Sequence, residues 1–425
     1  MAMAEIALPT ALASKPKIQL RGHLFAIAWR NLWRNRRRTW LTAGGIAFAV
    51  WMLIFARSMQ DGTFIIMIDN AARMMTGHIQ VQHPDYRDDP RVENTLQQAT
   101  LIAEQVAAHP AVEQASLRAQ AFALVSFGER SFGAQVMGVE PEKEITWSTL
   151  VNTQVEGRYL EKSGDAFLGS VLAKNLGLGI GDEIVLLGSA KQGGVAAVVA
   201  TVVGTFTSGL ADIDRALVQI TLDDFREGWA LAADEAHAVI AVTNSVIGSE
   251  EVAHSFDGSN RVSLGWTDLM PEVEQMVEMK QIGTELFFVL IAVIVTFSVV
   301  NTFMMTVFER TPEFGMLMAI GMRPGSIMLQ LFVEAFWLCS LGLLLGLGAS
   351  IAMITVTAAT GIPLPAEATE MLANYNLPDR MYPAFSFDAA IVASIAMYIG
   401  TQLAALIPAL RVNRMRPVDA LRAQE

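Results

Sequence analysis

Six ionisable residues stand in or beside long apolar runs, and they are the strongest chemical signal in the chain. Glu309, Arg310 and Glu313 open a short stretch between two apolar runs, residues 286–308 and 327–357. Glu334 falls about two turns into the second of these. Arg57 and Glu285 lie at similar depth, at the outer ends of two runs. Charge is costly inside a bilayer, so such groups default to pairing or to function. The chemistry they suggest is the holding and passing of force rather than the making of bonds. Glu334 has two readings, a pair with an arginine of the basic segment ahead of the first run, such as Arg30 or Arg34, or a water-exposed, snorkelling carboxylate with no role, while Arg57 is expected to pair with Glu285. Enzyme signatures are missing. No G-x-x-x-x-G-K-[ST] loop is present for a nucleotide, and Gly177, Gly179 and Gly181 run into Asp182 where a dinucleotide fingerprint wants glycine. His78 and His83 are five apart on an expected strand, hence on opposite faces. The chain is read as non-catalytic, with no metal or cofactor of its own.

The elements that position these charges follow from spacing. A span needs roughly 20 apolar residues, and four blocks qualify: 39–60, 284–308, 327–357 and 386–410. Ahead of the first, residues 1–38 end in an amphipathic helix, with Leu24, Phe25, Ala28, Trp29, Leu32 and Trp33 at helical spacing among basic residues. Between the second and third blocks, residues 309–326 hold a short helix. Pro312 suits its first turn, Phe314, Met316, Leu317 and Ile320 form an apolar stripe, and Gly321 stops it. Residues 61–283 form an α+β domain on helical stalks, in which 122–127 and 132–139 flank Gly128-Glu129-Arg130 as a hairpin. There 183–187 pairs with 195–205, and 156–160 is a turn. Residues 358–385 form a short loop and 411–425 a basic tail. Gly342 and Gly346 put a small-xxx-small face on the third block, for packing within the subunit or against a second one.

Charge sets the topology. The 425 residues carry a net −12, yet segments 1–38, 309–326 and 411–425 hold 14 Lys and Arg against 5 Asp and Glu. Basic residues flanking spans mark the cytoplasmic side. Both termini and the 309–326 loop are therefore expected in the cytoplasm, and the acidic domain outside. Because the basic pieces hug spans, they point to membrane lipids rather than nucleic acid.

The loop reads Glu313, Gly315, Leu317, Ala319, Gly321, and the chain closes on Pro408-Ala409-Leu410-Arg411, Arg414 and Arg416-Pro417-Val418-Asp419-Ala420-Leu421-Arg422. With Trp29-Arg30-Asn31-Leu32-Trp33-Arg34-Asn35-Arg36 before the first span, this resembles the FtsX/MacB-type ABC transporter permeases, particularly the lipoprotein-releasing LolC/LolE-like branch. The resemblance implies an α-helical membrane protein with four transmembrane helices plus a large α+β extracytoplasmic, MacB-like periplasmic domain, in the bacterial inner membrane. It implies partners as well: a cytoplasmic ABC ATPase dimer that binds ATP and Mg, a second permease subunit, and a periplasmic lipoprotein or carrier protein. Glu309, Arg310, Pro312, Glu313, Gly315, Leu317, Ala319 and Gly321 are then the ATPase-coupling residues. The implied function is mechanotransmission that drives export or release of lipophilic cargo. The alternative is an FtsX-like subunit that activates an extracytoplasmic hydrolase and transports nothing.

Overall fold

The computed structural model describes residues 19–365 and 379–413, with side chains from residue 25. Residues 1–18, the loop segment 366–378 and the tail from Arg414 lie outside them. Among the described residues, four helices are long and apolar enough to cross a membrane. We name them span 1 (Arg36–Ala71, extended by a π turn Ala72–Thr76), span 2 (Pro271–Glu309), span 3 (Pro324–Thr360) and span 4 (Phe387–Asn413). A lead helix, Gln19–Arg34, precedes span 1 with only Asn35 between them, and a loop helix, Thr311–Ala319, joins spans 2 and 3. The residues divide into two units: a helical one (Met1–Gln60, Ile282–Ala359, Pro383–Glu425) and a sheet one (Asp61–Gln281, Thr360–Tyr382).

In the helical unit, span 1 lies at the centre. Its Ala43, Ile46, Val50 and Ile54 pack against Ala335 and Leu338 of span 3 and Met397 and Ala405 of span 4. Small residues let these backbones close up. A Cβ added at Gly342 would fall 2.6 Å from Ile46 Cγ2, and one at Gly346 only 2.8 Å from the Ala47 carbonyl oxygen. The Gly342/Gly346 face is thus filled within the subunit by span 1, which resolves the two alternatives left by the spacing. Trp29 of the lead helix meets Trp337 of span 3 edge-on at 5.1 Å. Span 2 differs from its neighbours, because only 11% of its most apolar window is buried by this chain, against 44% for span 1.

Among the described residues, the sheet unit has a short strand pair, Ile362–Pro363 with Arg380–Met381, and a main sheet of ten strands in chain order: β1 (Ile79–Gln82), β2 (Val112–Phe127), β3 (Arg130–Val139), β4 (Gln154–Gly157), β5 (Asp165–Gly169), β6 (Glu183–Ser189), β7 (Val195–Phe206), β8 (Leu217–Thr221), β9 (Ala238–Thr243) and β10 (Val262–Gly265). Their pairing order is β10-β1-β9-β2-β3-β8-β5-β7-β4, and β6 bridges β2 and β7. The ring β2-β3-β8-β5-β7-β6 therefore closes on itself as a six-stranded barrel, with β1, β9 and β10 extending one side as a sheet. Val125, Val136, Ile184, Leu186, Val202 and Ile220 fill the core, together with the stacked pair Phe225 and Trp229, 4.4 Å apart. Two expectations change here. Residues expected as a turn at 156–160 begin as β4, because Glu156 pairs with Thr205 on the barrel's edge. The first hairpin arm starts ten residues earlier than expected, at Val112, where alternation is hidden because β2 is covered on both faces for part of its length.

His237 gives this unit a pH dependence. It is fully buried, with Nδ1 accepting from the Gln120 amide at 3.0 Å and Nε2 facing the Val92 carbonyl at 3.2 Å, and it stacks on Tyr86. Burial, above all, pushes its pKa down from 6.5 to about 4. Because the folded state favours the neutral ring, the associated stability is complete above pH 6.5. It is lost as pH falls toward 4, by about 3 kcal/mol in all. Thermal unfolding of the purified protein should therefore drop more steeply between pH 6.5 and 4.5 in the wild type than in His237→Gln, and equal slopes would refute this assignment.

Candidate functional site

The loop helix begins where span 2 breaks. Arg310 leaves helical geometry there, Thr311 returns a hydroxyl to the Val307 carbonyl, and Pro312 occupies the first turn, where its missing N–H costs nothing. At the other end the Met322 amide reaches back to the Leu317 carbonyl (2.9 Å) and Gly321 adopts φ +101°, a left-handed stop that suits glycine. The inner face of the helix is pinned by Phe314, which packs with Val307, Ile327 and Leu331. Gly315 is buried beside it, and Leu317 is half-buried. Met316, Ala319 and Ile320 point the other way and are exposed, Ile320 by 79%. Spaced i, i+3, i+4, they form an apolar ridge on an exposed face.

Beneath the helix start lies a charged network. Glu334 is 5% exposed and accepts from Arg310 Nη1 at 3.0 and 3.1 Å, from Asn31 Nδ2 at 2.8 Å and from Gln330 Nε2 at 3.2 Å. Arg310 also holds Glu313 through Nε at 3.1 Å, and its guanidinium lies 5.1 Å from the Phe314 ring centre. Two lead-side arginines complete the set: Arg34 meets Glu313 at 3.0 Å and Arg38 meets Glu309 at 2.7 Å. A polar cavity of about 230 Å³ adjoins the network, bordered by Arg38, Thr42, Thr306 and Glu334. Burial acts to raise the Glu313 pKa, but hydrogen bonds from Arg310 and Arg34 outweigh it and hold the carboxylate below its usual range. Glu313 is thus ionised at neutral pH, and the salt bridges persist there.

Two expected pairs are corrected. Glu334 bonds Arg310 and Asn31, not Arg30 or Arg34. Arg30 is one residue from Asn31, about 100° around the lead helix, and faces away. Arg34 reaches Glu313 instead. Glu285 is exposed and makes no ion pair among the described residues, so the pair with Arg57 is not formed. Glu285 sits on span 2, the span least covered by this chain. The spacing also missed Asn31, Arg38 and Gln330. The last could have been found, since Gln330 precedes Glu334 by one helical turn.

The site is a loop helix locked at its charged start, and it offers an exposed apolar ridge. Residues 285–417 match the FtsX-like permease C-terminal family, and residues 39–257, half of the chain, match the MacB-like periplasmic core domain. The chain is 22% identical to the lipoprotein-releasing system transmembrane protein LolC of Neisseria meningitidis over 401 residues, 90% of this chain and 94% of that one. It is 31% identical to the macrolide export ATP-binding/permease protein MacB of Neisseria gonorrhoeae over 124 residues, 29% of this chain. That match spans only 16% of the MacB protein's length. The periplasmic region of MacB from Actinobacillus actinomycetemcomitans superposes on 48% of this chain and 96% of its own, with a TM-score of 0.35 and 10% identity. The chain belongs to the FtsX-like, MacB-type family of ABC transporter permeases.

Proposed function

We propose that this chain is the transmembrane subunit of a transporter whose ATPase is a separate chain, bound at the loop helix, with ATP and Mg held there and not here. The single observation that carries this reading is the loop helix, locked at its charged start by Arg34, Arg310 and Glu334 while Met316, Ala319 and Ile320 stay open to a partner. The loop then faces the cytoplasm of a bacterial inner membrane, and the sheet unit faces the periplasm. Spans 1 and 2 run on as unbroken helices to residues 71 and from residue 271. ATPase closure would be passed along them to the sheet unit. The sparse coverage of span 2 supports a second permease subunit as its neighbour. The relatives' names favour a lipophilic cargo such as a lipoprotein.

The test is Glu313→Lys in the purified complex reconstituted with its ATPase. The lysine repels Arg34 and Arg310 and frees the start of the loop helix. ATP hydrolysis should persist while cargo release falls by roughly tenfold, the size of a typical coupling free energy. Restoring opposite charge with Arg34→Glu in the same chain should recover part of the release. Wild-type release in Glu313→Lys would contradict the reading.

A further inference from the structure

Span 1 ends in the sheet unit at a joint built from buried charge. Its π turn, Ala72–Thr76, is closed by the Gly77 amide bonding to the Ala72 carbonyl at 2.7 Å. Gly77 then turns the chain into β1 with φ +70°, and a Cβ there would fall 2.5 Å from Ile240 Cγ2. Into this turn reaches Arg118 from β2, only 4% exposed. Its Nη1 donates to the Met75 carbonyl, and Nε and Nη2 form a bidentate pair with Glu144 at 2.7 and 2.8 Å. The guanidinium lies 4.8 Å from the Trp147 ring centre. The same turn is held from its other side. Arg73 bonds Asp69 at 2.9 Å and Glu113 at 2.7 Å, and His78 Nε2 lies 3.1 Å from Asp69 while Nδ1 accepts from the Thr243 amide at 3.0 Å.

We propose that Arg118 is a positioning residue for transmission, the rivet that makes the outer end of span 1 and the sheet unit turn as one piece. This rests on the mechanical reading above. A buried Arg–Glu pair is a poor device for stability alone, since desolvation offsets most of the attraction and apolar replacements are often as stable. What the pair supplies is direction. A planar guanidinium bound on three sides fixes the angle at which the π turn meets β2, as apolar packing or a lysine would not. Without it, the turn keeps its backbone bond and its Arg73 contacts but can swivel, so motion of span 1 would be taken up at the joint.

The experiment uses the full chain with Cys339→Ala, spin-labelled at Ile66→Cys on span 1 and Ser131→Cys at the start of β3. Distance distributions and cargo release are measured for wild type, Arg118→Met/Glu144→Leu and Arg118→Lys. We expect the distribution to widen at least twofold in both variants. Release should fall about tenfold with ATP hydrolysis retained, and the melting temperature of the double variant should match that of the wild type. An unchanged distance distribution overturns the proposal, and so does a widened one with release intact. If the double variant does not fold, Arg118→Lys decides by the same two readouts. If wild-type release does not depend on ATP, the transporter reading fails, and the joint is judged on the distance distributions alone.

Discussion

Arg310→Met is expected to destabilise the helical unit by about 3–5 kcal/mol, the usual consequence of leaving one member of a buried ion pair without its partner. Glu334 would keep only Asn31 and Gln330, two neutral donors, for a charge that is 5% exposed. Glu313 would keep Arg34, but that contact is half exposed and worth little alone. Removing both charges, in Arg310→Met/Glu334→Leu, should recover most of the stability, because the orphaned carboxylate is gone and the apolar pair fills similar volume. Release should not recover with it, since the start of the loop helix no longer has the bridge from span 2 to span 3. Denaturation in mild detergent reads the first effect and reconstituted release the second. A single variant within about 1 kcal/mol of wild type would mean that the network is loosely solvated and does not lock the helix.

Local signals were easier to read from the chain than distant ones. The loop helix was legible because each of its parts acts within a few residues: Pro312 at the first turn, Phe314 on the stripe, Gly321 at the stop. The four spans were legible because length and apolarity alone define them. The partner of Glu334 was not, since choosing between Arg30, Arg34 and Arg310 depends on how the lead helix is rotated against span 3, and that is set by the Trp29–Trp337 contact. Barrel closure was hidden for a similar reason. It depends on two parallel pairings, β3 with β8 and β5 with β7, between segments far apart in the chain. Arg118 and Glu144 gave no signal at all, because each is an ordinary surface residue type until β2 and the helix Pro141–Trp147 bury them against each other.

The second large effect concerns the exposed ridge. Met316 and Ile320 are 57% and 79% exposed, so Met316→Glu/Ile320→Glu should change folding by less than about 0.5 kcal/mol per site. If an ATPase docks there, however, two buried carboxylates without partners would break the interface. The most direct measurement is affinity purification of the tagged wild type and of this double variant from the native membrane, with the co-purifying ATP hydrolysis assayed. An ATPase that comes down with the wild type and falls at least tenfold with the variant, while both chains remain monodisperse, is the result expected. Equal ATPase with both, or none with a monodisperse wild type, would contradict the claim that this loop helix is where ATP-driven force enters the chain.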